Sequence, residues 1–412
     1  MTKSLSILAL ALALAACGDA SADGVSANSA TPSRTVSTGD APSGPAATDP
    51  SASNPGMSPD SLLTSRERLE DARERYRRLA DGGGWPAIPQ GDLVEPGDTA
   101  AAQVQALRDR LAATDELDGA DATGDVYDDR LAGALAAFQA RQGLVVDSLL
   151  GGNTRTALNV SADRRVAQIE ATLDRWDELP AFPQGENDRY VIVNVPEFRV
   201  RGFEGNREAV QMEVVVGETY DDRATPLFHD TMEHVIFRPF WNVPPSIASE
   251  ELVDQGPAAL QEQGFEIVSH YAPDATVYDM TAANLRRVDA GSLRLRQTAG
   301  PDNALGLVKF MFPNQYAVYL HDTPAENLFD RADRTFSHGC IRLERPADFG
   351  AWVLGDQGWD EARVQSAMDS GERQKVVLED EIPVYIVYLP VWADDEGKVH
   401  FVEDVYDLVE EA

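Results

Sequence analysis

Two histidines, a cysteine and an arginine lie close enough in this chain to suggest the chemistry of a thiolate nucleophile. The run Ser337-His338-Gly339-Cys340-Ile341-Arg342 holds one of only two cysteines in 412 residues. A thiolate nucleophile needs positive charge nearby to lower its pKa, and Arg342 and a histidine are both candidates to supply it. Gly339 lets backbone approach a substrate closely, and adjacent N–H groups can face a developing oxyanion. The polar, glycine-containing setting does not read as a core strand, which argues against a merely structural Cys340. Upstream, Val318-Tyr319-Leu320-His321-Asp322 supplies a second histidine, and cysteine catalysis usually draws its base from elsewhere in the sequence.

A sheet must hold these residues. From Arg189 the pattern switches to period two with β-branched residues, giving strands over 190–195, 198–203 and 210–216 with turns at Pro196-Glu197 and Gly205-Asn206. That is an antiparallel meander. Further strands are predicted over 235–240, 309–312 and 316–321, and closing strands over 376–378, 383–389 and 399–402. In the 316–321 strand, Tyr316, Val318 and Leu320 point one way while Ala317, Tyr319 and His321 point the other. Arg342 falls on the side of Cys340 if the strand continues. Trp241-Asn242-Val243-Pro244-Pro245 breaks the sheet, and residues 246–292 read as a helical, irregular insertion before 293–297 returns to it. Pro346 suits the first turn of a helix carrying Phe349, Trp352 and Val353.

Helices precede the sheet. Leu62, Leu69, Ala72, Tyr76 and Leu79 share one helical face, which Gly82-Gly83-Gly84 terminates. Val104, Leu107 and Leu111 mark a second helix, and Leu131, Leu135 and Phe138 a third. A short helix passes through Ala157-Leu158, and 165–176 forms a connecting helix. Before all of these, 18–60 is built from Ala, Ser, Thr, Pro, Gly and Asp and cannot bury enough surface to order itself, so a disordered tether is expected.

The net charge of −34 argues against nucleic-acid binding, which needs clustered Lys and Arg. His229, His234, His270 and His400 are too scattered to suggest a metal site, and no cofactor is called for. At the N-terminus, Lys3 and an apolar stretch over 5–16 read as a signal segment too short to span a bilayer. Leu14-Ala15-Ala16-Cys17 resembles a bacterial lipobox, which makes Cys17 the expected lipidation site and Cys340 the remaining free thiol. A cleaved signal peptide with an incidental cysteine is the alternative.

Ser-His-Gly-Cys-x-Arg after a strand ending in His resembles the signature of the L,D-transpeptidases, which remodel bacterial peptidoglycan. Leu320-His321-Asp322-Thr323-Pro324, Leu328-Phe329 and Arg334-Thr335-Phe336 extend the likeness to the long Gram-negative form. Phe138-Gln139-x-x-Gln142-Gly143-Leu144 with Asp147, Gly151 and Asn153-Thr154 resembles the small three-helix peptidoglycan-binding domain, although Asp147-Ser148 stands where that family more often has Asp-Gly. The resemblance implies an α+β protein: a mainly antiparallel β catalytic domain over 189–412 whose capping insertion spans about 246–292. Ahead of it are expected a signal peptide and lipidation cysteine (1–17), the tether (18–60), a helical scaffold segment (61–97), the peptidoglycan-binding-like domain (98–160) and a connecting helix (161–188).

It further implies that Cys340 attacks a stem peptide before its terminal D-Ala, and that an amine of a second stem resolves the thioester as a 3→3 cross-link. His321 is the general base. His338 either fixes the loop or shares in activation, Ser337 orients a histidine, and the N–H groups of Gly339 and Cys340 form the oxyanion hole; Tyr319 is a further candidate for that hole because it shares a face with His321. Arg342 holds a substrate carboxylate or braces the loop. Peptidoglycan stem peptides, a membrane reached through the lipid on Cys17, and carbapenem inhibitors are the implied partners. Gly18 after the cysteine favours a periplasmic location on the outer membrane. An L,D-carboxypeptidase, a hydrolase that detaches cross-links or lipoprotein, and a non-catalytic wall-binding lipoprotein stay open.

Overall fold

The computed structural model describes residues 61–409 apart from 122, 184, 221, 222 and 273. The signal segment, Cys17 and the 18–60 tether therefore lie outside the described residues. Helix α1 (Ser61–Asp81) buries Leu69, Ala72 and Tyr76 at helical spacing, as expected. Helices α2 (Ala101–Ala113), α3 (Asp129–Arg141) and α4 (Gly152–Leu158) enclose Leu107, Leu111, Leu131, Leu135, Phe138 and Leu158. Asp128 caps α3 by accepting the Leu131 N–H. Gln139 is fully buried and ties the following loop together. Its oxygen accepts from the N–H groups of Asp147 and Ser148, and its amide donates to Thr154 and the Leu149 carbonyl. The Phe-Gln…Asp…Thr pattern is thus explained by internal hydrogen bonding. Ser148 has a φ of +57°, so serine occupies the left-handed conformation that a glycine after Asp147 would adopt without strain.

Helix α5 (Ala162–Glu178) lies beside α1, and the two cover one outer face of the following sheet. Leu69, Tyr76, Ile169 and Trp176 share a core with Tyr190, Ile192, Phe203 and Tyr385. Arg141 donates to the Val399 carbonyl at 2.6 Å and Arg165 stacks 4.2 Å over the Phe401 ring, docking the helical unit on the C-terminal hairpin.

Strands β1 (Arg189–Asn194), β2 (Arg199–Glu204) and β3 (Arg207–Gly217) form the expected meander, and β4 (Phe228–Phe237) follows. The chain then leaves the main sheet through β5 (Trp241–Asn242), α6 (Pro245–Ile247), α7 (Gly256–Glu262), β6 (Phe265–Val268), β7 (Val277–Tyr278), α8 (Ala282–Asp289) and β8 (Arg294–Gln297). These strands pair in the order β5-β8-β6-β7 around Val243, Leu260, Ile267, Leu285 and Leu295. The insertion is therefore a mixed subdomain rather than a helical one, and residues 294–297 belong to it instead of the main sheet. Alternating Leu293, Leu295 and Arg294, Arg296 signals a half-buried strand but not its partner. The partner is β6, where Glu266 lies opposite Arg296 and pairs with it.

The main sheet resumes with β9 (Val308–Met311), β10 (Leu320–His321), β11 (Thr335–Ser337) and β12 (Ile341–Leu343). Helices α9 (Pro346–Val353) and α10 (Glu361–Asp369), the long β13 (Gln374–Val387), and the β14 (Val391–Ala393) and β15 (Val399–Phe401) hairpin complete the fold. Residues 376–378 and 383–387 belong to one strand, β13, with a register shift between Val377 and Ile382. The strand expected over 316–321 is only two residues long. Asn314 holds the preceding residues in a loop, accepting from the N–H groups of Tyr316 and Val318 and donating to the Phe312 and Val318 carbonyls. Ala317 is left-handed at φ +56°, and Tyr316 is exposed, not buried beside Val318.

The strand order is β11-β3-β12-β10-β9-β4-β13-β1-β2, and a β2–β3 pairing closes the sheet on itself. Only β1–β13, β10–β12 and β3–β11 are parallel. Inside lie Val308, Phe310, Leu320, Ile341 and Leu343 with Phe349 of α9 and Val364 of α10. Alternation puts Lys309, His321 and Arg342 on the outer face.

Candidate active site

Cys340 occupies the turn between β11 and β12. Gly339 has a φ of +102°, a conformation that an L side chain would adopt only with strain. Ser337 fixes this turn: its hydroxyl accepts from the Gly339 N–H at 3.1 Å and donates to the Cys340 carbonyl at 2.5 Å. Ser337 therefore holds backbone rather than a histidine. The Gly339 N–H is thereby committed, which removes it as an oxyanion donor; among the described residues the Cys340 N–H has no such partner. From the other side, the Thr225 hydroxyl donates to the Gly339 carbonyl at 3.1 Å while accepting the Gly217 N–H. A Cβ at Gly217 would stand 2.1 Å from the Arg223 carbonyl, so only glycine lets the Thr225 loop close in.

Parallel pairing of β10 with β12 places Leu320 opposite Ile341 and His321 opposite Arg342. One step earlier, Tyr319 lies beside Cys340, and its carbonyl accepts the Ile341 N–H. Tyr319, His321, Cys340 and Arg342 therefore share one face. Diagonal neighbours on such a face have Cβ atoms roughly 7–8 Å apart, a gap that a thiol and an imidazole can bridge. The Tyr319 and His321 rings meet edge to face at 5.7 Å.

His321 is buried, and its Nδ1–H donates to the Asp322 carbonyl at 2.5 Å. That bond fixes the tautomer and leaves Nε2 with a lone pair, as a base requires. The Asp322 carboxylate secures the turn by accepting the N–H groups of Leu307 and Thr323, each at 2.7 Å. Burial, with Arg342 and Lys309 adding repulsion, pushes the His321 pKa down to about 3 against the pull of the Asp322 carbonyl.

Cys340 is partly exposed, and its thiol points to the Ala317 carbonyl at 3.8 Å. Burial of the sulfur's surroundings raises its pKa, while the Tyr319 N–H and hydroxyl, Lys309 and Arg342 pull it down. The expectation of a net lowering is thus corrected, because desolvation outweighs the cations. The resting pair is neutral thiol and neutral imidazole. Tyr319 lies beside Cys340 and is among the groups that pull the thiol pKa down. Arg342 braces the turn, its guanidinium donating to the Phe336 carbonyl at 3.4 Å.

His338 turns toward the insertion. Its Nε2 lies 2.8 Å from Glu251, which also receives Arg223 at 2.6 Å, and Arg223 in turn reaches Glu218 at 3.0 Å. The insertion is thus fastened to the residue two before the nucleophile. Three contributors escape a sequence reading of the site. Glu251 and Thr225 come from distant segments. Lys309 is legible only as part of a strand, and its position opposite His321 depends on a register that an eight-residue loop conceals. Among the described residues no three His, Cys, Asp or Glu side chains cluster as metal ligands.

Residues 188–377 match the L,D-transpeptidase catalytic domain family, YkuD, and residues 100–158 match a family described as "Putative peptidoglycan binding domain". A curated relative from Haemophilus influenzae, described as "Putative L,D-transpeptidase", is 28% identical over 243 residues. The alignment covers 58% of this chain and 47% of the relative, so it spans about half of that protein. An L,D-transpeptidase structure from Xylanimonas cellulosilytica is 15% identical, covering 72% of this chain and 98% of its own, with a TM-score of 0.21. One from Stackebrandtia nassauensis is 13% identical, covering 73% and 96%, with a TM-score of 0.26. At those scores the likeness adds nothing to the fold described above. The chain thus matches the L,D-transpeptidase catalytic domain family over its sheet region, residues 188–377, and the peptidoglycan-binding family over the helices ahead of it, residues 100–158.

Proposed function

We propose that the protein is a periplasmic peptidoglycan L,D-transpeptidase, lipid-anchored through Cys17 to the outer membrane, that forms 3→3 cross-links through a Cys340 thioester. The observation that carries this reading is the shared face of Cys340, Tyr319 and His321, with the histidine tautomer fixed so that Nε2 is free. In the reaction, Cys340 Sγ attacks the carbonyl between the third residue of a tetrapeptide stem and its terminal D-Ala. The thiol proton passes to His321 Nε2, and the tetrahedral oxyanion accepts the Cys340 N–H. The intermediate collapses as His321 returns the proton to the departing D-Ala amine, leaving a thioester. An amine of a second stem then attacks, its proton is carried by His321, and the sulfur is released as thiol.

The insertion meets the Cys340 turn through the Glu251–His338 pair, and in this reading it favours transfer over hydrolysis by limiting water at the cleft. A carbapenem, with a strained β-lactam carbonyl as acyl donor, acylates the same sulfur in this reading. Incubating purified protein with tetrapeptide-rich muropeptides tests it. A 3→3 dimer with D-Ala release is expected, and Cys340→Ala abolishes it. Tripeptide without dimer would assign a carboxypeptidase instead, and unchanged muropeptides would leave a wall-binding lipoprotein.

A further inference from the structure

Lys309 is a cation on the floor of the site that the thioester mechanism does not yet use. It lies opposite His321 across the antiparallel β9–β10 pair, on the face that carries Cys340 and Arg342. Its ammonium sits 4.8 Å from the centre of the ring of Tyr319, the residue beside Cys340 on that face. Among the described residues no carboxylate forms an ion pair with it, although the chain as a whole carries a net charge of −34. A half-buried ammonium without an anionic partner is costly unless an anion forms beside it. The mechanism produces one such anion at that place, the Cys340 thiolate.

We infer that Lys309 is a positioning residue whose charge, held against the Tyr319 ring, stabilises the Cys340 thiolate as the thiol proton leaves. The inference rests on the proposed thioester chemistry but not on the identity of its acyl acceptor. The charged and titratable groups around the sulfur are Tyr319 just before β10, His321 on β10, Lys309 on β9 and Arg342 on β12. Glu218, just beyond β3, acts on Arg342, and Arg373, just before β13, acts on Lys309. Burial lowers the Lys309 pKa to about 8, and a thiolate at Cys340 opposes that fall. The ammonium form therefore still predominates at pH 7, where it is needed. Arg342 contributes to the same field but is also committed to the Phe336 carbonyl, so Lys309 is the more freely directed of the two charges.

The test reads the sulfur directly and needs no peptidoglycan substrate. Full-length wild type, Lys309→Met and Lys309→Arg are alkylated with iodoacetamide from pH 5 to 10, and modification of the peptide containing Cys340 is followed by mass spectrometry. With Lys309→Met, the apparent thiol pKa is expected to rise by about one unit and the rate at pH 7 to fall about tenfold. Lys309→Arg keeps the charge and is expected to stay within about threefold of wild type. Coincident profiles for wild type and Lys309→Met would overturn the inference. So would an equal loss in both variants, which would reveal a packing role. If Lys309→Met does not fold, Lys309→Gln takes its place, with the same shift expected and the same two results overturning the inference. Failure of the muropeptide assay with a shifted alkylation profile would refute the cross-linking function and leave the thiolate role standing.

Discussion

His321→Asn tests whether the resting site is neutral. In the folded protein the imidazole titrates at about 3, against an ordinary value of 6.5. Between those values the unfolded chain binds a proton that the folded chain refuses, so the histidine's contribution to stability is present above pH 6.5 and lost as pH falls toward 3. From pH 7.5 to pH 5 the expected loss is about 2 kcal/mol, one and a half pKa units at 1.36 kcal/mol each. The figure is robust because any folded value below about 4 gives nearly the same loss at pH 5. Asparagine does not titrate, so urea unfolding of wild type and His321→Asn at the two pH values isolates the contribution: the remaining groups cancel in the difference. Wild type should lose about 2 kcal/mol more than the variant on acidification. A preformed thiolate–imidazolium pair would instead raise the histidine pKa and reverse the sign. A difference that is flat or reversed would refute the neutral resting pair.

Three further outcomes follow from the geometry. Tyr319→Phe keeps the ring beneath Lys309 but removes the hydroxyl that helps pull the Cys340 pKa down. A hydrogen bond to a charged group contributes about 1.5–3 kcal/mol, so acylation of Cys340 by a carbapenem, followed by intact mass, should slow by about ten- to a hundredfold at pH 7. Ser148→Gly relieves a left-handed serine and should stabilise the helical unit by about 1 kcal/mol, seen as a higher calorimetric transition for that unit, with muropeptide turnover unchanged. Glu251→Gln removes the charge that holds both His338 and Arg223, and hydrogen exchange over 246–255 should become faster while β9 and β13 keep their protection.

Whatever depends on local periodicity is legible in the sequence. Tyr319 and His321 alternate with Val318 and Leu320, and that alone sets them on one face. Cys340, just before β12, and Arg342 on it follow the same rule. The meander of β1 to β3 is legible because turns and β-branched runs are local signals. Pairing is not. Leu293 and Leu295 announce a strand whose partner is the insertion's β6, and Lys309 becomes part of the site through its register with His321. Ser337 does not orient a histidine because its two hydrogen bonds go to atoms of its own turn, which a motif cannot distinguish from a bond to an imidazole. The expected reach of the 316–321 strand fails at Asn314, whose side chain competes for the backbone groups that a strand would have used.

The site's electrostatics give the insertion its significance. A buried histidine with its pKa near 3 and a thiol with a raised pKa do not exchange a proton at rest, so the nucleophile is kept inactive until a substrate carbonyl is in place. Once the proton has moved, the imidazolium is a strong acid and readily protonates the departing amine. In the proposed mechanism the thiolate would then be stabilised by Tyr319, Arg342 and Lys309. Water entering the cleft would weaken each of these interactions by screening them. In the proposed mechanism, fastening the insertion to His338 through Glu251 would therefore do more than protect the thioester: it would help keep a low dielectric around the sulfur. An open insertion should thus impair acylation as well as admit hydrolysis, and the two losses should appear together in Glu251→Gln.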